Sequence, residues 1–326
     1  MPVSVFPAAA PEDLQVSSES VRDMITNIRL THGLEMHSFL LLRKGSLIWE
    51  EYFREREEER LHVMWSVSKS FTSTAYGIAQ DEGLFSLDDK LYDFFPEYVY
   101  ACDSDWKREM TLRHILMMGS GFENRENEIL NSPFEYEMVR KALEFPVIYK
   151  PGTVFNYYTL GTYLLSVVFS RVYPAGLHSY LREKLFAPLG IKGSIWNVDL
   201  NSVPLGGIGL YLRAKDMARM GQLYLQNGLW EQRQIVPQSY VREAVSKQID
   251  NGPDTKSPLN TNIDWNAGYG YQFWRNSFGG FRADGMHGQY IVVYPQKDLV
   301  LVMTSRYDDM QAPLTAFKEI LLPGIE

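Results

Sequence analysis

Apolar positions recur at helical spacing through the middle of the chain and alternate in a strand-like way near both ends. Residues 17–31 have a helical period, and two strand-like runs, 37–43 and 47–53, follow it. The tripeptide Lys44-Gly45-Ser46 between these runs is typical of a hairpin. From residue 66 to about 246 the pattern is overwhelmingly helical and is interrupted by Pro, Gly and Ser. It predicts helices over 112–118, 163–172 and 214–227.

Beyond residue 265 the period becomes strand-like again. It predicts four strands and a closing helix, over 270–274, 281–284, 289–294, 299–304 and 312–322. Strands at both ends with helices between them indicate an α+β (α/β/α) fold, in which one sheet built from both chain ends carries a helical insertion. We expect a single domain over 1–326, with a sheet-bearing subdomain from 1–60 and 246–326 and a helical subdomain from 61–245.

Ser66 and Lys69 stand at the start of the first helix after the hairpin. Residues three apart share a helix face, so the lysine amine can help remove the serine proton. The partial positive charge at a helix N-terminus also favours a developing alkoxide. Apolar residues at helical spacing support this helix: Val67, Phe71, Ala75 and Ile78, with a stop at Gly83. The alternative is an ordinary amphipathic helix whose cap happens to be serine.

The same spacing occurs a second time at Ser104-Asp105-Trp106-Lys107. Average Ser and Lys usage predicts such a match on the order of once in a chain of this length by chance. Charged residues follow Lys107 and no long apolar face accompanies it, so we expect a solvated segment there. The charge run over 54–60 is likewise predicted to be a solvated connection.

Two further segments carry candidate chemistry. Tyr157 follows a Pro151-Gly152 turn and precedes an apolar helix, and a lysine ammonium beside its phenol would lower the phenol pKa and make it a usable general base. Gly285 to Gln289 opens a strand, where glycines admit a substrate backbone and an unpaired N–H can serve an oxyanion. The alternatives are a tyrosine that packs or caps a helix and a simple turn.

Two glycine- and aromatic-rich segments are expected to be structural. Gly206 to Leu210 neither follows a strand nor matches a phosphate loop, so we expect a close-packing segment that lines the cleft. An aromatic cluster is expected in the core, where it could also wall an apolar acyl pocket: Trp265, Tyr269, Tyr271, Phe273 and Trp274.

The order and spacing of these segments resemble the serine β-lactamase and penicillin-binding-protein superfamily, most closely its class C-like branch. Ser66 to Thr72 resembles the first motif of that branch, Pro151 to Tyr157 its second, and Gly285 to Gln289 its third in the variant of nylon-oligomer hydrolases. Family VIII-type esterases are similar too. Further landmarks match at 87–90, 95–97 and 111–121, so the resemblance covers about residues 37–305.

The resemblance implies a β-lactamase/transpeptidase-like fold, with an antiparallel sheet flanked by helices, and an enzyme that works through an acyl-enzyme. Ser66 would be the nucleophile, Lys69 and Tyr157 would shuttle its proton, and the backbone N–H groups of Ser66 and Gln289 would bind the oxyanion. The substrate would be a small-molecule ester or amide. The family needs no metal and no organic cofactor.

The expected substrate-binding residues are Thr159, Met286, His287 and Gly288, and the first three depart from the family pattern. Thr159 replaces an asparagine, and Met286 replaces the cation that contacts a β-lactam carboxylate. As a strand residue, His287 is expected to point away from the face of Met286. An esterase, amidase or peptidase is therefore favoured over a penicillin-hydrolysing specialist.

Two alternatives remain beside the hydrolase. A β-lactamase-like fold retained as a binding or sensing module is compatible with Thr159 and Met286. A Ser-His-Asp triad using His287, His114 or His62 is weakly supported, because the chain has no Gly-x-Ser-x-Gly elbow.

Composition restricts the partners and the compartment. A formal net charge of −8 argues against nucleic acid or an anionic membrane as the main partner. The single cysteine, Cys102, excludes an intrachain disulfide and fits a reducing compartment. The N-terminal residues lack a signal-peptide pattern, and the longest apolar stretch is about half the length of a membrane helix. We therefore expect a cytoplasmic protein with a small-molecule substrate and no membrane span.

Overall fold

The computed structural model describes residues 6–130, 137–252 and 263–326. The strands in these ranges are β1 Glu35–Arg43, β2 Ser46–Tyr52, β3 His62–Val63, β4 Ile195–Trp196, β5 Leu210–Leu212, β6 Leu229–Trp230, β7 Arg233–Gln234, β8 Trp274–Arg275, β9 Phe281–Gly285, β10 Gln289–Tyr294 and β11 Leu299–Arg306. The helices are α1 Ser18–Leu30, α2 Val67–Asp81, α3 Asp105–Glu109, α4 Leu112–Leu116, α5 Asn127–Leu130, α6 Met138–Glu144, α7 Thr159–Val172, α8 Gly176–Leu181, α9 Ala214–Leu225, α10 Gln238–Val245 and α11 Gln311–Ala316.

One antiparallel sheet joins the two ends of the chain in the order β2-β1-β11-β10-β9-β8. β1 is the strand that links the two halves: Leu40 lies opposite Glu50 of β2 on one side and Val302 of β11 on the other. The expected sheet from both termini is therefore confirmed. The subdomain boundaries at residues 60 and 246 stay a prediction.

Both faces of the sheet are covered by helices. α9 packs against the face that carries Ile291 and Val300, so closely that a Cβ on Gly221 would lie 2.5 Å from a Val300 methyl group. Tyr294 is three residues beyond Ile291 and points to the other face, where its ring contacts Phe317 in the turns that continue α11. Because β1 is buried on both faces, its run of apolar residues is continuous rather than alternating.

α2 is enclosed on all sides, by α7, α8, α10 and β9. The apolar face predicted for it is buried, but its serines and threonines are buried as well. Their hydroxyls donate to backbone carbonyls of neighbouring loops: Ser70 to Gln272 at 2.6 Å, Thr72 to Gly206 at 2.8 Å and Ser73 to Tyr271 at 2.7 Å. The helix that follows Ser66 is therefore central rather than amphipathic, and hydrogen bonds hold its position.

One strand prediction was wrong, and the predictions of two solvated segments fail at one residue each. Residues 270–273 do not form a strand, because the N–H groups of Tyr271 and Gln272 donate to Ala244 and Leu116, and β8 begins only at Trp274. Lys107, in the segment expected to be solvated, is buried and donates to the carbonyls of Ala101 and Leu143 at 2.8 and 3.1 Å.

Glu57, within the charge run expected to be solvated, is also buried, in a cluster with His62. Short strands interrupt the region predicted to be helical, and β3, β4 and β5 form a small sheet of their own. Within the described ranges, no helix combines the length and apolar character needed to cross a bilayer.

The packing of α2 against α10 leads to a stability prediction for Gly77. A Cβ at this position would lie 2.3 Å from the Tyr240 ring, whose hydroxyl is held by hydrogen bonds to Ser73. Gly77→Ala is expected to destabilise the protein by about 1–3 kcal/mol, although alanine is intrinsically favoured in a helix by about 1 kcal/mol. Urea unfolding measures the change.

The matched control is the double variant Gly77→Ala/Tyr240→Ala. Removing the ring removes the clash, so the combined loss should be smaller than the sum of the two single losses. A Gly77→Ala variant more stable than the wild type would contradict the inferred contact.

Candidate active site

Ser66 lies at the junction between β3 and α2. Met64 donates to the Leu210 carbonyl at 2.7 Å, which anchors the end of β3. Trp65 then turns the chain sharply, with φ of 47° in the left-handed region that a bulky residue rarely occupies. Ser66 follows as the N-cap residue of α2, but its hydroxyl does not cap the helix. The hydroxyl is thus left available at the end of the helix.

Lys69 is the direct partner of the Ser66 hydroxyl. Its Nζ lies 3.0 Å from Ser66 Oγ and also donates to the Gly207 carbonyl at 2.9 Å and to Thr159 Oγ1 at 3.4 Å. The residue is only 1% exposed, and burial lowers its pKa to about 8, although Glu126 and Asp284 oppose this shift. Near neutral pH, a useful fraction of the amine is therefore unprotonated.

Tyr157 completes this group of polar side chains. Its hydroxyl hydrogen-bonds with Ser66, its ring lies 4.9 Å from Lys69 Nζ, and it stacks on Trp274 at 5.4 Å. Burial raises the pKa of Tyr157 well above that of a free phenol, and the negative charge of Asp284 raises it further. The expectation that Lys69 lowers this pKa was wrong, because desolvation dominates. The phenol is neutral at neutral pH.

The turn that carries Tyr157 is held at several points. Gly152 has φ of 85° and donates to the Gly119 carbonyl at 2.7 Å, as the Pro-Gly sequence predicts for a turn. Asn156 donates to the Met118 carbonyl at 2.8 Å, and the Asn124 amide donates to the Tyr157 carbonyl at 2.9 Å. The aromatic cluster predicted for the core is buried, and its Trp274 ring supports Tyr157.

The third predicted segment places glycine backbone against Ser66. Gly285 ends β9, and a Cβ added there would lie 2.2 Å from the Met64 carbonyl and 3.2 Å from the Ser66 nitrogen. Gln289 lies opposite Gly285 in β10, and its side-chain amide donates to the Ser305 carbonyl at 2.7 Å. The backbone of Gly285 is therefore packed against Ser66, and the oxyanion role of the Gln289 N–H stays a prediction.

Met286, His287 and Gly288 form the turn between β9 and β10. His287 and Gly288 have φ of 63° and 83°, so the expectation that residues 286 and 287 point to opposite faces of a strand was wrong. Met286 is 52% exposed. The His287 ring meets the Trp65 ring edge-on at 5.5 Å, and its Nδ1 lies 3.1 Å from Asp308.

Two carboxyl groups near Lys69 were missed from the sequence. Glu126 Oε2 accepts the N–H of Thr159, at the start of α7, at 2.5 Å. Asp284 is buried beside Arg282, whose Nε donates to it at 2.8 Å. Burial raises the pKa of both carboxyls, and Lys69 opposes this rise. Glu126 belongs to no motif, whereas an aspartate in the apolar run before Gly285 was a visible sign of a buried site.

The histidines considered for a triad have other partners. His114 forms a reciprocal capping pair with Thr111 at the start of α4. His62 contacts Glu57 in a buried cluster that also contains His37 and that offers nitrogen and oxygen ligands suited to a metal. The Gly206 to Leu210 segment, predicted to pack closely, additionally supplies the Gly207 carbonyl to Lys69. The described geometry thus pairs the Ser66 hydroxyl with lysine and tyrosine.

A model of the β-lactamase family matches residues 22–321. The chain belongs to the β-lactamase family. This confirms the resemblance inferred from three motifs, and with it the prediction of an enzyme of the serine-hydrolase type.

Named relatives in the β-lactamase family include hydrolases and penicillin-binding-protein homologues. The 6-aminohexanoate-dimer hydrolase of Paenarthrobacter ureafaciens is 26% identical over 304 residues, which cover 83% of this chain and 73% of that protein. The octameric penicillin-binding protein homologue from Pyrococcus abyssi superposes with a TM-score of 0.73 at 19% identity, covering 94% and 77% of the two chains. A family VIII carboxylesterase superposes with a TM-score of 0.71 at 15% identity, covering 98% and 99%. The structural matches confirm the predicted fold.

The charges around Lys69 lead to a prediction for the pH dependence of Ser66 reactivity. The rate at which a fluorophosphonate labels Ser66 is expected to rise with pH through an apparent pKa of about 8, as Lys69 loses its proton. Glu126 favours the ammonium form, so Glu126→Gln should move this apparent pKa below that of the wild type. Glutamine retains an acceptor for the Thr159 N–H.

Glu123→Gln, on the same loop, serves as the control and should leave the profile unchanged. An upward shift in Glu126→Gln, or an equal shift in both variants, would contradict the proposed charge coupling to Lys69. Intact-mass spectrometry over a pH series provides the rates.

Proposed function

We propose that this β-lactamase-family chain is a serine hydrolase that cleaves small-molecule esters or amides through an acyl-enzyme on Ser66. The observation that carries the proposal is the 3.0 Å contact between Ser66 Oγ and the Nζ of a buried Lys69 whose pKa is lowered to about 8. An amine with this pKa is a workable general base at neutral pH, because it is partly deprotonated there.

In the acylation step, neutral Lys69 would accept the Ser66 proton as Oγ forms a bond to the substrate carbonyl carbon. The Tyr157 hydroxyl, which hydrogen-bonds with Ser66 and is neutral, would donate a proton to the departing oxygen or nitrogen. Lys69 would then return a proton to Tyr157, so that both groups regain their starting forms. In deacylation, water would replace the leaving group and the same transfers would run in reverse.

The oxyanion formed in this reaction needs two donors. Ser66 N–H, at the start of α2, is one candidate that the sequence analysis named. For the second donor we propose the backbone at Gly285 and Met286 in place of Gln289, because Gly285 is the residue packed against Ser66.

The substrate class follows from the residues around Ser66. The exposed side chain at position 286 is an uncharged methionine, and His287 is turned towards Trp65 and Asp308. This arrangement offers no cation at the position where a β-lactam carboxylate would need one. We therefore propose an ester or amide whose acyl side is uncharged, a class that agrees with relatives named as an amide-dimer hydrolase and a carboxylesterase.

The alternative of a catalytically silent binding module receives less support. Such a module has no need to keep a lysine amine desolvated, because burying that group is costly. Here the Lys69 contacts with Ser66, Thr159 and Gly207 are all present. The substitutions at positions 159 and 286 thus bear on substrate choice rather than on the nucleophile.

A labelling and hydrolysis experiment tests the proposed function. The wild type should gain one fluorophosphonate adduct on Ser66 and hydrolyse short-chain nitrophenyl esters, with slower turnover of a chromogenic cephalosporin. Ser66→Ala should lose both the adduct and the activity, and Lys69→Ala should lose at least about 10²-fold in rate because its general base is gone.

Ser104→Ala and Lys107→Met, in the second Ser-x-x-Lys sequence, are the matched controls and should keep the Ser66 adduct wherever they fold. An unlabelled but folded wild type would favour the binding module. Faster turnover of the cephalosporin than of every ester would refute the proposed substrate class.

Gly285→Ala tests the proposed position of the second oxyanion donor. A Cβ 2.2 Å from the Met64 carbonyl would force β9 away from Ser66, and loss of one oxyanion donor typically costs about 10²–10³-fold in kcat. We expect a loss of this size in kcat for ester hydrolysis, with thermal unfolding as the check on folding.

Gly252→Ala is the control, since among the described residues a Cβ there meets only Asp250 Oδ1 at an ordinary 3.7 Å. Wild-type kcat in a folded Gly285→Ala variant would show that the end of β9 does not bind the oxyanion.

A further inference from the structure

Three ionisable side chains lie together in the interior beside β1 and β3. His37, Glu57 and His62 are 8%, 1% and 8% exposed. One potential ligand atom from each lies within 4.8 Å of the others. None of the three belongs to the Ser66 site, and this cluster is independent of the proposed hydrolase function.

Separate segments of the backbone bring the three residues together. His37 is the extra residue of a bulge in β1, between the pairs formed by Met36 with Ser305 and by Ser38 with Thr304. A bulge redirects the side chain it carries, and bulges occur often beside functional sites. Glu57 begins a short helical turn over Glu57–Glu59, and His62 begins β3.

The cluster has unused ligand capacity. Neither ring nitrogen of His37 has a hydrogen-bond partner among the described residues, although buried polar atoms are nearly always paired. The His37 and His62 rings stack at 5.4 Å instead of bonding to each other. His62 Nε2 points at the Glu57 carboxylate.

Three arginines lie near the cluster: Arg306 lines the adjoining cavity, and Arg54 and Arg60 pair with carboxylates. Arg54 forms an ion pair with Glu35, and Arg60 Nε lies 3.5 Å from Glu57 Oε2. Arg60 therefore contacts one Glu57 oxygen, while the other faces His62. The Arg60 guanidinium in this position would orient the Glu57 carboxylate and would leave the metal-binding position open.

A cavity of about 300 Å³ opens onto the two histidines. Its lining includes His37, His62, Trp65, His287, Gln289 and Arg306. It therefore connects the cluster to the residue before the nucleophile and to the β9–β10 turn. The cavity has room for water or another small ligand at positions that the three side chains leave open.

We propose that His37, Glu57 and His62 bind a divalent transition-metal ion, with Zn²⁺ as the expected occupant. Two imidazole nitrogens and one carboxylate oxygen form a donor set typical of zinc, and the three would leave at least one coordination position facing the cavity. Tetrahedral coordination with bonds of about 2.0–2.2 Å places ligand atoms about 3.4 Å apart. The ligand atoms lie within 4.8 Å of one another, and binding would require the stacked His37 and His62 rings to turn towards a common point.

The position of the cluster predicts what the ion does. It would cross-link β1 to β3, and β3 ends three residues before Ser66. Because the ion would bind the folded chain in preference to the unfolded one, it should raise the thermal stability of the protein. The ion would take no part in the acyl transfer proposed for Ser66.

Metal binding by the full-length chain tests this inference. After treatment with EDTA and dialysis, the wild type should bind one equivalent of Zn²⁺ in a calorimetric titration, and its Tm should rise on Zn²⁺ addition. His37→Gln and His62→Gln should each weaken binding at least about tenfold and lose the Tm increase. Substitution with Co²⁺ should give a visible spectrum in the wild type that each variant alters.

Two histidines outside the cluster provide matched controls. His178→Gln removes a half-buried imidazole and His32→Gln an exposed one, and both variants should bind one equivalent as the wild type does. Circular dichroism verifies the fold of each variant. A folded wild type that binds no stoichiometric Zn²⁺, Co²⁺, Ni²⁺ or Mn²⁺ would overturn the proposal, and so would unchanged binding in folded His37→Gln and His62→Gln.

Discussion

The desolvation of a single lysine is the constraint on which the site depends. An exposed Lys69 would be almost wholly protonated at neutral pH and could not accept a proton from Ser66. Burial lowers its pKa to about 8, but a buried ammonium needs hydrogen-bond acceptors, and the Gly207 carbonyl and Thr159 hydroxyl supply them. Two nearby carboxylates limit how far the pKa falls. The pKa of Lys69 thus reflects a balance. A fully solvated amine would stay protonated and could not accept a proton, whereas a fully desolvated ammonium would be too costly to bury.

This constraint accounts for much of the surrounding architecture. Water is excluded from Lys69 only if α2 is covered on every side. The helix is therefore central, and its serine and threonine hydroxyls hydrogen-bond to neighbouring loops. Gly206 and Gly207 approach α7 too closely for side chains, since a Cβ on Gly207 would lie 2.9 Å from a Thr159 methyl group. The same approach brings the Gly207 carbonyl to the lysine. Close packing and proton transfer therefore share one set of contacts.

The sequence predicted the architecture and the contact between Ser66 and Lys69 well because both leave periodic or motif-based patterns. The strands at both ends, α7, α9 and the Ser66–Lys69 pair were visible in this way. Predictions failed where distant residues decide the outcome. Lys107 and Glu57 lie in charged sequence that indicates solvent, yet carbonyls and a histidine from other segments bury them. The direction of the Tyr157 pKa shift depends on enclosure by Trp274 and Asp284, which no local pattern reveals.

The contact between Gly285 and Ser66 also bears on how the substrate specificity of such an enzyme can change through substitution. The backbone there excludes any side chain, because even a methyl group would meet the Met64 carbonyl. Met286, the next residue, is half exposed and bears no comparable restriction. A tightly packed backbone and an exposed side chain are thus adjacent in the chain. In the proposed mechanism, a substitution at position 286 would change the residue that meets the substrate and leave the backbone that binds the oxyanion in place, so new specificities would be within reach of single substitutions.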